Sequence, residues 1–388
     1  MKIITKMMED HMTTRRPAEV FHPGEYLRDE LAARNWSQIE FAEIIGRDKR
    51  LVNEIIKGKR GISPDTAREI GAALGTSAEV WMNLDNAYNL WKSDKDVSEI
   101  EHRAKMWTKY PVRDMTLRNW LLPSEDTKII ESQLLRHFEA NRLEDAPQLA
   151  HVTAARRSDS DEEGFNPIQL AWLYRVKHIA DAMPVPKYSK NKLRNALEKL
   201  TAYREYVEDL RHIPQLLEEC GVRFVIVEPL PSSKIDGVCL WLGNAPVIGM
   251  TLRFDRIDNF WFVLRHEIEH ALNGDGRDSA VLDSDIMGTQ GEETLPDLEK
   301  KANAAAAEFC VPQAKMDDFI DRRDPIYSRK DVLRFAKSLR VHPGLVAGQL
   351  RWKTGRFRLF TNMLVSVRDE ITPVSMVDGF GQVLPVQI

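Results

Sequence analysis

The chain has 388 residues, of which 43% are apolar and 29% charged, and its formal net charge is −4. This composition excludes fibrous and largely disordered chains, and the length predicts two or three domains. It also excludes a basic surface over the whole protein, so contacts with nucleic acid need a local patch. No run of about 18 apolar residues and no signal-peptide core occur, which predicts a cytoplasmic protein without membrane contact.

Residues 20–92 contain the start and stop signals of five short helices. Ser37 and Glu40 form a capping box at the start of the second helix, which ends at Gly46. Asp48 is placed to cap the third helix. Five short helices joined by tight turns predict a helix-turn-helix domain.

The third helix has the composition of a DNA recognition helix. We expect Leu51, Ile55 and Ile56 to face inward, and Lys49, Arg50, Val52 and Asn53 to face outward. Lys, Arg and Asn suit base edges and phosphates, whereas a charge run alone more often marks a solvated helix face. The helix signals favour the first interpretation, with a predicted DNA-binding set of Arg47, Lys49, Arg50, Asn53, Lys57, Lys59 and Arg60.

The stretches "FHPGEYLRDEL", "WSQIEFAE" and "VNEIIKGKRGISPDTAREIGAALGTSAEVWMNLDNAYNL" resemble the DNA-binding module of the HigA-type antitoxins, within the Xre/Cro helix-turn-helix family. The resemblance covers residues 20–92. It implies binding to operator DNA as a homodimer, repression of a toxin–antitoxin operon and a toxin partner.

Residues 93–204 are charged and helical in period, and we predict an α-helical connector with loops at 155–167 and 183–192. Its apolar anchors, which we expect to be core residues, are Trp107, Trp120, Leu121, Leu122, Leu135, Trp172 and Leu173. The three widely spaced cysteines of the chain indicate neither a disulfide framework nor a metal knuckle. We expect Cys220, Cys239 and Cys310 to be buried small apolar residues.

Three β-branched or apolar runs follow a helix that ends at Gly221: "RFVIVEPL", "GVCLWL" and "APVIGMTL". They predict a sheet of three strands. Next comes "DNFWFVLRHEIEHALNG", a buried or half-buried helix ended by Gly274. The predicted fold class is α+β and mainly α, with a zincin-like domain and a small sheet at 205–350.

The sequence "HEIEH" places His266 and His270 four residues apart on one helix face, where their ring nitrogens can share a tetrahedral zinc ion. Glu267, beside the first histidine, is placed to act as a general base toward a water activated by zinc. The bare motif also occurs in ordinary amphipathic helices. A third ligand therefore decides between the two interpretations.

A glutamate on a second helix is a common third ligand, and "LPDLEKKANAAAAEFCVP" predicts such a helix. Glu299 is the candidate there, with Asn303 one turn later to hydrogen-bond a ligand from outside the metal shell. Glu308 lies half a turn away and should face elsewhere. Gly276 occupies the position where a metzincin needs histidine, which excludes that class.

The long acidic segment 275–297 holds two weaker rivals for the third ligand, Glu292 and Glu293. We interpret the segment as a surface insertion, with a lid over the site as the alternative. His342 precedes Pro343 and is expected to cap a helix, although an oxyanion donor is the alternative. Residues 351–388 alternate like a hairpin and predict a β extension of the sheet or a dimer contact.

"HEIEH" followed by "EKKANAAAAEFCVP", after a short sheet, resembles the ImmA/IrrE family of zinc metallopeptidases over about residues 205–350. The resemblance implies that His266, His270 and Glu299 bind Zn²⁺ and that Glu267 is the catalytic base. Relatives cleave or control transcriptional repressors.

Taken together, the motifs predict an antitoxin-type repressor with a zinc metallopeptidase domain that cleaves itself, a partner toxin or a repressor. The alternative is a non-catalytic antitoxin or repressor, in which the zinc-like domain is a sensor or a scaffold that binds the toxin. A scaffold has no need of Glu267, which favours the enzyme.

Overall fold

The computed structural model describes residues 20–93, 96–143, 166–277, 280–284 and 295–382. The chain forms two compact units, Met1–Ser98 and Glu99–Ile388. Within the described ranges, no helix combines the length and the apolar character that crossing a membrane requires.

The N-terminal unit contains the five predicted α-helices. They are α1 (Pro23–Ala33), α2 (Gln38–Ile44), α3 (Lys49–Ile56), α4 (Pro64–Leu74) and α5 (Ala78–Lys92). The capping box of α2 is present, since Ser37 Oγ accepts from the amide of Glu40 at 3.2 Å and the Glu40 carboxylate accepts from the amide of Ser37 at 2.7 Å. Asp48 caps α3 as predicted, accepting from the amide of Arg50.

The buried face of α3 differs from the predicted one by one position. Val52 is fully buried beside Ile55, whereas Leu51 and Ile56 are only half-buried. The outward orientation expected for Val52 was therefore wrong. The reason is the close approach of α1, because a Cβ on Gly24 would lie 2.0 Å from the Ile55 carbonyl oxygen and the side of α3 facing α1 becomes core.

The second unit contains twelve further α-helices, the first of which begins at Ser98 on the boundary between the units, and a five-stranded sheet within the described ranges. The helices are α6 (Ser98–Lys109), α7 (Val112–Leu117), α8 (Thr127–His137), α9 (Pro167–Asp181), α10 (Lys190–Ala202), α11 (Ile213–Glu219), α12 (Ile257–Asn273), α13 (Asp297–Cys310), α14 (Gln313–Arg323), α15 (Arg329–Leu339), α16 (Pro343–Thr354) and α17 (Arg368–Ile371). The strands are β1 (Arg223–Val227), β2 (Ile235–Leu242), β3 (Ala245–Met250), β4 (Val281–Ser284) and β5 (Met376–Asp378). The predicted class, α+β and mainly helical, is confirmed.

The sheet is mixed and has the order β4-β2-β3-β1-β5. β1 pairs in parallel with β3 and β5, and β2 pairs in antiparallel with β3 and β4. The three predicted strands are its centre. β4 was not predicted, and β5 is the part of the predicted β extension that is a strand; they have only four and three residues, too few for a period of two to be visible.

Both faces of the sheet are covered by helices. Phe224, Ile226 and Ile248 pack into a core with α12. The alternate residues Val225 and Val247 face a second core with α9, which contains Trp172. Helix α9, which belongs to the predicted connector, therefore forms one layer of the fold. The division of the chain at residues 92, 204 and 350 stays a prediction.

Four of the seven predicted connector anchors are buried, Leu135 is half-buried and two are exposed. Trp107 and Leu122 are exposed, at 42% and 49% of their surface, so their assignment to the core was wrong. Trp107 follows the buried Met106 on α6, and because neighbouring helix residues lie about 100° apart around the axis, it falls outside the buried stripe. The predicted loop at 183–192 is coil up to the start of α10, whereas residues 155–165 lie outside the described ranges.

The predicted hairpin in 351–388 was also wrong in its conformation. Residues 361–363 and 368–374 form short helical turns, and up to residue 382, where the description of this segment ends, Met376–Asp378 is its only strand. The alternation of apolar residues in this segment reflects single contacts with the core, as Met363, Val367 and Ile371 are each buried. The segment nevertheless extends the sheet, through the parallel pairing of β5 with β1.

A buried ion pair joins β5 to the helical layer on the sheet. The Asp378 carboxylate pairs with the Arg175 guanidinium of α9 and accepts from Trp120 Nε1 at 2.9 Å. Asp378 and Arg175 are 2% and 5% exposed. Because both charges are desolvated, removing one partner costs more than a surface pair contributes.

We expect Asp378→Ala to lower the free energy of unfolding of the second unit by about 3 kcal/mol, because it removes an acceptor of the buried Arg175 guanidinium. Urea unfolding followed by tryptophan fluorescence measures this. The control is Asp317→Ala, which removes an exposed partner of Lys353 and should cost about 1 kcal/mol or less. Equal losses in the two variants would contradict the prediction.

Candidate metal centre

Helix α12 carries both histidines of the predicted site. It runs beneath the sheet without interruption and ends at Gly274, which has the left-handed conformation (φ 82°) that favours glycine. His266 and His270 lie on one face, and their Nε2 atoms are 3.0 Å apart. Both side chains are completely buried.

Helix α13 packs against α12 and brings Glu299 to the two histidines. Glu299 Oε2 lies 3.3 Å from His266 Nε2, and Glu299 Oε1 lies 3.5 Å from His270 Nε2. Glu308 is exposed and accepts from the amide of Gln313, so it faces elsewhere as predicted. Asn303 was predicted to hydrogen-bond a metal-binding residue. Its buried Oδ1 has no hydrogen-bond partner among the described residues, so this oxygen does not contact His266, His270 or Glu299 in that way.

A fourth residue, Asp283 of β4, joins the three that the sequence indicates. Its Oδ2 lies 3.3 Å from His266 Nε2 and 3.9 Å from His270 Nε2. One donor atom from each of His266, His270, Asp283 and Glu299 can be chosen so that all four lie within 4.8 Å of one another. The available signal was a lone acid within the apolar run "AVLDS", inside the segment interpreted as a surface insertion.

The donor set fits a zinc ion. A tetrahedral site with ligands at about 2.0–2.2 Å separates neighbouring ligand atoms by roughly 3.3–3.6 Å, and the separations given above scatter around these values. Moreover, both carboxylate oxygens of Glu299 and Oδ2 of Asp283 are buried without a hydrogen-bond partner. Buried acceptors left in this state are costly, and a bound cation accounts for them.

Glu267 lies beside the donor set, and its carboxylate is completely buried, with neither oxygen hydrogen-bonded to a described residue. Space for it exists only because β2 has glycine at position 237. A Cβ there would lie 2.1 Å from Glu267 Oε1. Gly237 is thus a residue of the site that the sequence analysis did not identify.

Asp275 orients the second histidine from outside the donor set. Its Oδ2 is 3.0 Å from His270 Nδ1, which leaves Nε2 of that ring directed at the other donors. The backbone carbonyl of Asp275 accepts from Trp241 Nε1 at 2.8 Å, which holds the turn after α12 in place. Carboxylates in this position fix the tautomer of metal-binding histidines. The glycines that flank Asp275 in "NGDGR" were the signal for such a turn.

The charges of the site are strongly coupled. Burial alone would lower the pKa of His266. The neighbouring carboxylates of Asp283 and Glu299 outweigh this effect and raise the pKa to about 9. Burial, reinforced by Asp283 and Glu299, raises the pKa of the Glu267 carboxyl well above its usual range. Without a metal, the site therefore holds protons at neutral pH.

The predicted DNA-binding residues fall into two groups in the N-terminal unit. Arg47 donates two 2.8 Å hydrogen bonds to Glu69 of α4, and Arg50 and Arg60 share Glu54. The second group has no ion pair within the described ranges and consists of Lys49, Asn53, Lys57 and Lys59. The lysines are exposed and Asn53 is half-buried. The second group is therefore the one available to an external anion.

The other residues singled out in the sequence are His342, Glu292, Glu293 and the three cysteines. His342 caps α16, since its Nδ1 accepts from the amide of Gly344 at 3.0 Å, as predicted. Glu292 and Glu293 lie outside the described residues. The three cysteines are buried and unpaired with one another, also as predicted.

Comparison with known proteins identifies two family models in the chain. One, described as helix-turn-helix, matches residues 27–81. The other, a peptidase family described as IrrE N-terminal-like domain, matches residues 218–351. Both resemblances found in the sequence are thereby confirmed.

Individual relatives match the chain over a short part of its length. Virulence-associated protein I of Dichelobacter nodosus is 35% identical over 80 residues, which cover 20% of this chain and 74% of the relative. The uncharacterized HTH-type transcriptional regulator YddM of Escherichia coli is 30% identical over 80 residues, covering 20% and 85%. Among solved structures, the Pseudomonas aeruginosa antitoxin HigA with higBA promoter is 39% identical with a TM-score of 0.19, covering 19% and 83%.

We expect zinc affinity to rise with pH, by up to about tenfold per pH unit between pH 7 and 9, because zinc must displace the proton of His266. In the metal-free protein, this proton contributes stability that is complete below the usual pKa of 6.5 and is lost as the pH rises through about 9. Competition with a chromophoric chelator at several pH values, corrected for the protonation of the chelator, measures the affinity. An affinity independent of pH in this range would contradict the prediction.

Proposed function

Because this chain belongs to the helix-turn-helix family and carries an IrrE N-terminal-like peptidase domain, we propose that it is a DNA-binding regulator of antitoxin type with a zinc metallopeptidase domain. One observation carries the proposal. The side chains of His266, His270 and Glu299, from two helices, meet in a buried donor set beside Glu267.

In the peptidase domain, His266, His270 and Glu299 would hold Zn²⁺. When bound, the ion would supply Lewis-acid chemistry, lowering the pKa of a water and polarising a peptide carbonyl. Glu267 takes the proton of the attacking water and passes it to the leaving nitrogen. Gly237 gives the Glu267 carboxylate its space, and Asp275 holds the ring of His270 in the tautomer that binds metal.

The protein binds operator DNA as a homodimer, and α3 of the helix-turn-helix domain contacts the DNA. Lys49, Asn53, Lys57 and Lys59 contact bases and phosphates directly. Arg47, Arg50 and Arg60 belong to the same surface, but each has an acidic partner and first has to exchange it for a phosphate. The protein acts in the cytoplasm, and its peptidase cleaves the chain itself, a toxin held by it or another repressor.

A second candidate function is a sensor or scaffold that binds metal and a toxin without turnover. The burial of the donor set favours it, since Glu267 and the three ligands have no exposed surface in this conformation. The two candidates share every metal ligand and differ in the need for Glu267.

The variant Glu267→Gln separates these functions. We expect it to retain one zinc per chain and to lose cleavage of the chain itself or of the toxin and repressor encoded beside it, because the amide cannot accept the proton. Metal content and proteolysis are measured on the same samples, with His266→Ala and Glu299→Ala as variants that lose zinc. A Glu267→Gln protein with unchanged cleavage or biological response would favour the scaffold.

Binding to a duplex from the protein's own promoter tests the other domain. We expect Lys49→Ala and Lys57→Ala each to weaken binding and to lower the salt slope by about 1, because each loses one phosphate contact. Lys92→Ala, an equal change of charge at the end of α5, is the control and should have little effect. Fluorescence anisotropy over a range of salt concentrations gives the slopes, and no binding of the wild type at low salt would exclude the repressor.

A further inference from the structure

Asp283 has no task in the proposed peptidase, which needs three protein ligands and a base. It nevertheless lies inside the donor set, 3.3 Å from His266 Nε2 and 3.9 Å from His270 Nε2, and it is 2% exposed. Its Oδ2 has no hydrogen-bond partner among the described residues. A buried carboxylate oxygen with neither solvent nor a hydrogen bond requires a reason for its position.

The number of donor atoms explains the position of Asp283. Catalytic zinc sites have three protein ligands and an open fourth position, whereas sites with four protein ligands are closed. His266, His270, Asp283 and Glu299 supply four donor atoms within 4.8 Å of one another. With Asp283 included, the tetrahedral set is complete and has no position for water or substrate.

The strand that carries Asp283 is placed so that it can withdraw. β4 has four residues, lies at one end of the sheet and pairs with β2. The pairing shifts register between Ile235 and Gly237, so that Asp283 lies opposite Gly237, the position that also admits Glu267. A short edge strand is among the parts of a fold that open at low cost.

We infer that Asp283 is a fourth metal ligand that keeps the peptidase latent, and that activation requires β4 to separate from β2 and remove Asp283 from the metal. The inference rests on the proposed function. It assigns Asp283 a regulatory role at the same site. It also reconciles a complete set of catalytic residues with their burial.

The test uses the full-length chain loaded with Co²⁺ as a spectroscopic substitute for zinc, with thiocyanate as a probe of an open coordination position. The visible spectrum of the wild type should not respond to thiocyanate. Asp283→Ala and Asp283→Asn should give a spectrum that thiocyanate changes, and a zinc affinity lower by about tenfold or more. The Asp283→Ala protein should also cleave fluorescent casein that the wild type leaves intact.

The matched control is Asp297→Ala, which removes an exposed carboxylate at the start of α13 and should behave as the wild type. A thiocyanate response of equal size in wild type and Asp283→Ala, or unchanged zinc affinity in both Asp283 variants, would overturn the inference. Thiocyanate binding in Asp283→Ala without proteolysis would support Asp283 as a ligand and count against the peptidase. A wild type that takes up no metal would overturn both.

Discussion

Three carboxylates, those of Glu267, Asp283 and Glu299, are buried between α12, α13 and the end of the sheet without a hydrogen-bond partner for several of their oxygens. Such an arrangement is unfavourable unless protons or a cation compensate the charges. The rest of the second unit is organised around this constraint. Gly237, which has no side chain, leaves space for the Glu267 carboxylate. The left-handed conformation of Gly274 turns the chain so that Asp275 reaches His270. Helix α13 packs along α12 so that Glu299 faces the histidines.

The two units solve opposite electrostatic problems. In the N-terminal unit, exposed lysines surround the solvent-facing side of α3 and can bind an anion. In the second unit, acidic side chains are buried in the interior and can bind a cation. The net charge of −4 averages these two regions and describes neither. What matters for function is the local sign of charge and its burial.

The sequence predicts features that depend on neighbours within one helix. The five N-terminal helices follow from caps such as Ser37 and Asp48, and the pairing of His266 with His270 follows from one helical turn. Glu299 was accessible for the same reason, because the helix that carries it has a clear period. These features need only the chain within a few residues of each motif.

Features that depend on distant pairing were missed. Asp283 reaches the histidines only because β4 pairs with β2, some forty residues earlier in the chain. Val52 is buried because α1 packs closely against α3. β5 is a strand because it pairs with β1, since its three residues alone do not indicate one. Asp275 depends on a left-handed turn between two glycines. Periodicity cannot report contacts of this kind, since the partner is not within the repeating window.

The pairing of β5 with β1 also sets an order on biosynthesis. The helix-turn-helix unit is complete once about the first quarter of the chain has been made, and domains generally fold as units from the N-terminus during translation. The sheet of the second unit is complete only after Asp378 has emerged and met Arg175 and Trp120. A chain whose synthesis stops before that point would have its helix-turn-helix unit but an incomplete second unit. The ribosome therefore completes the helix-turn-helix unit before the unit that contains the IrrE N-terminal-like domain.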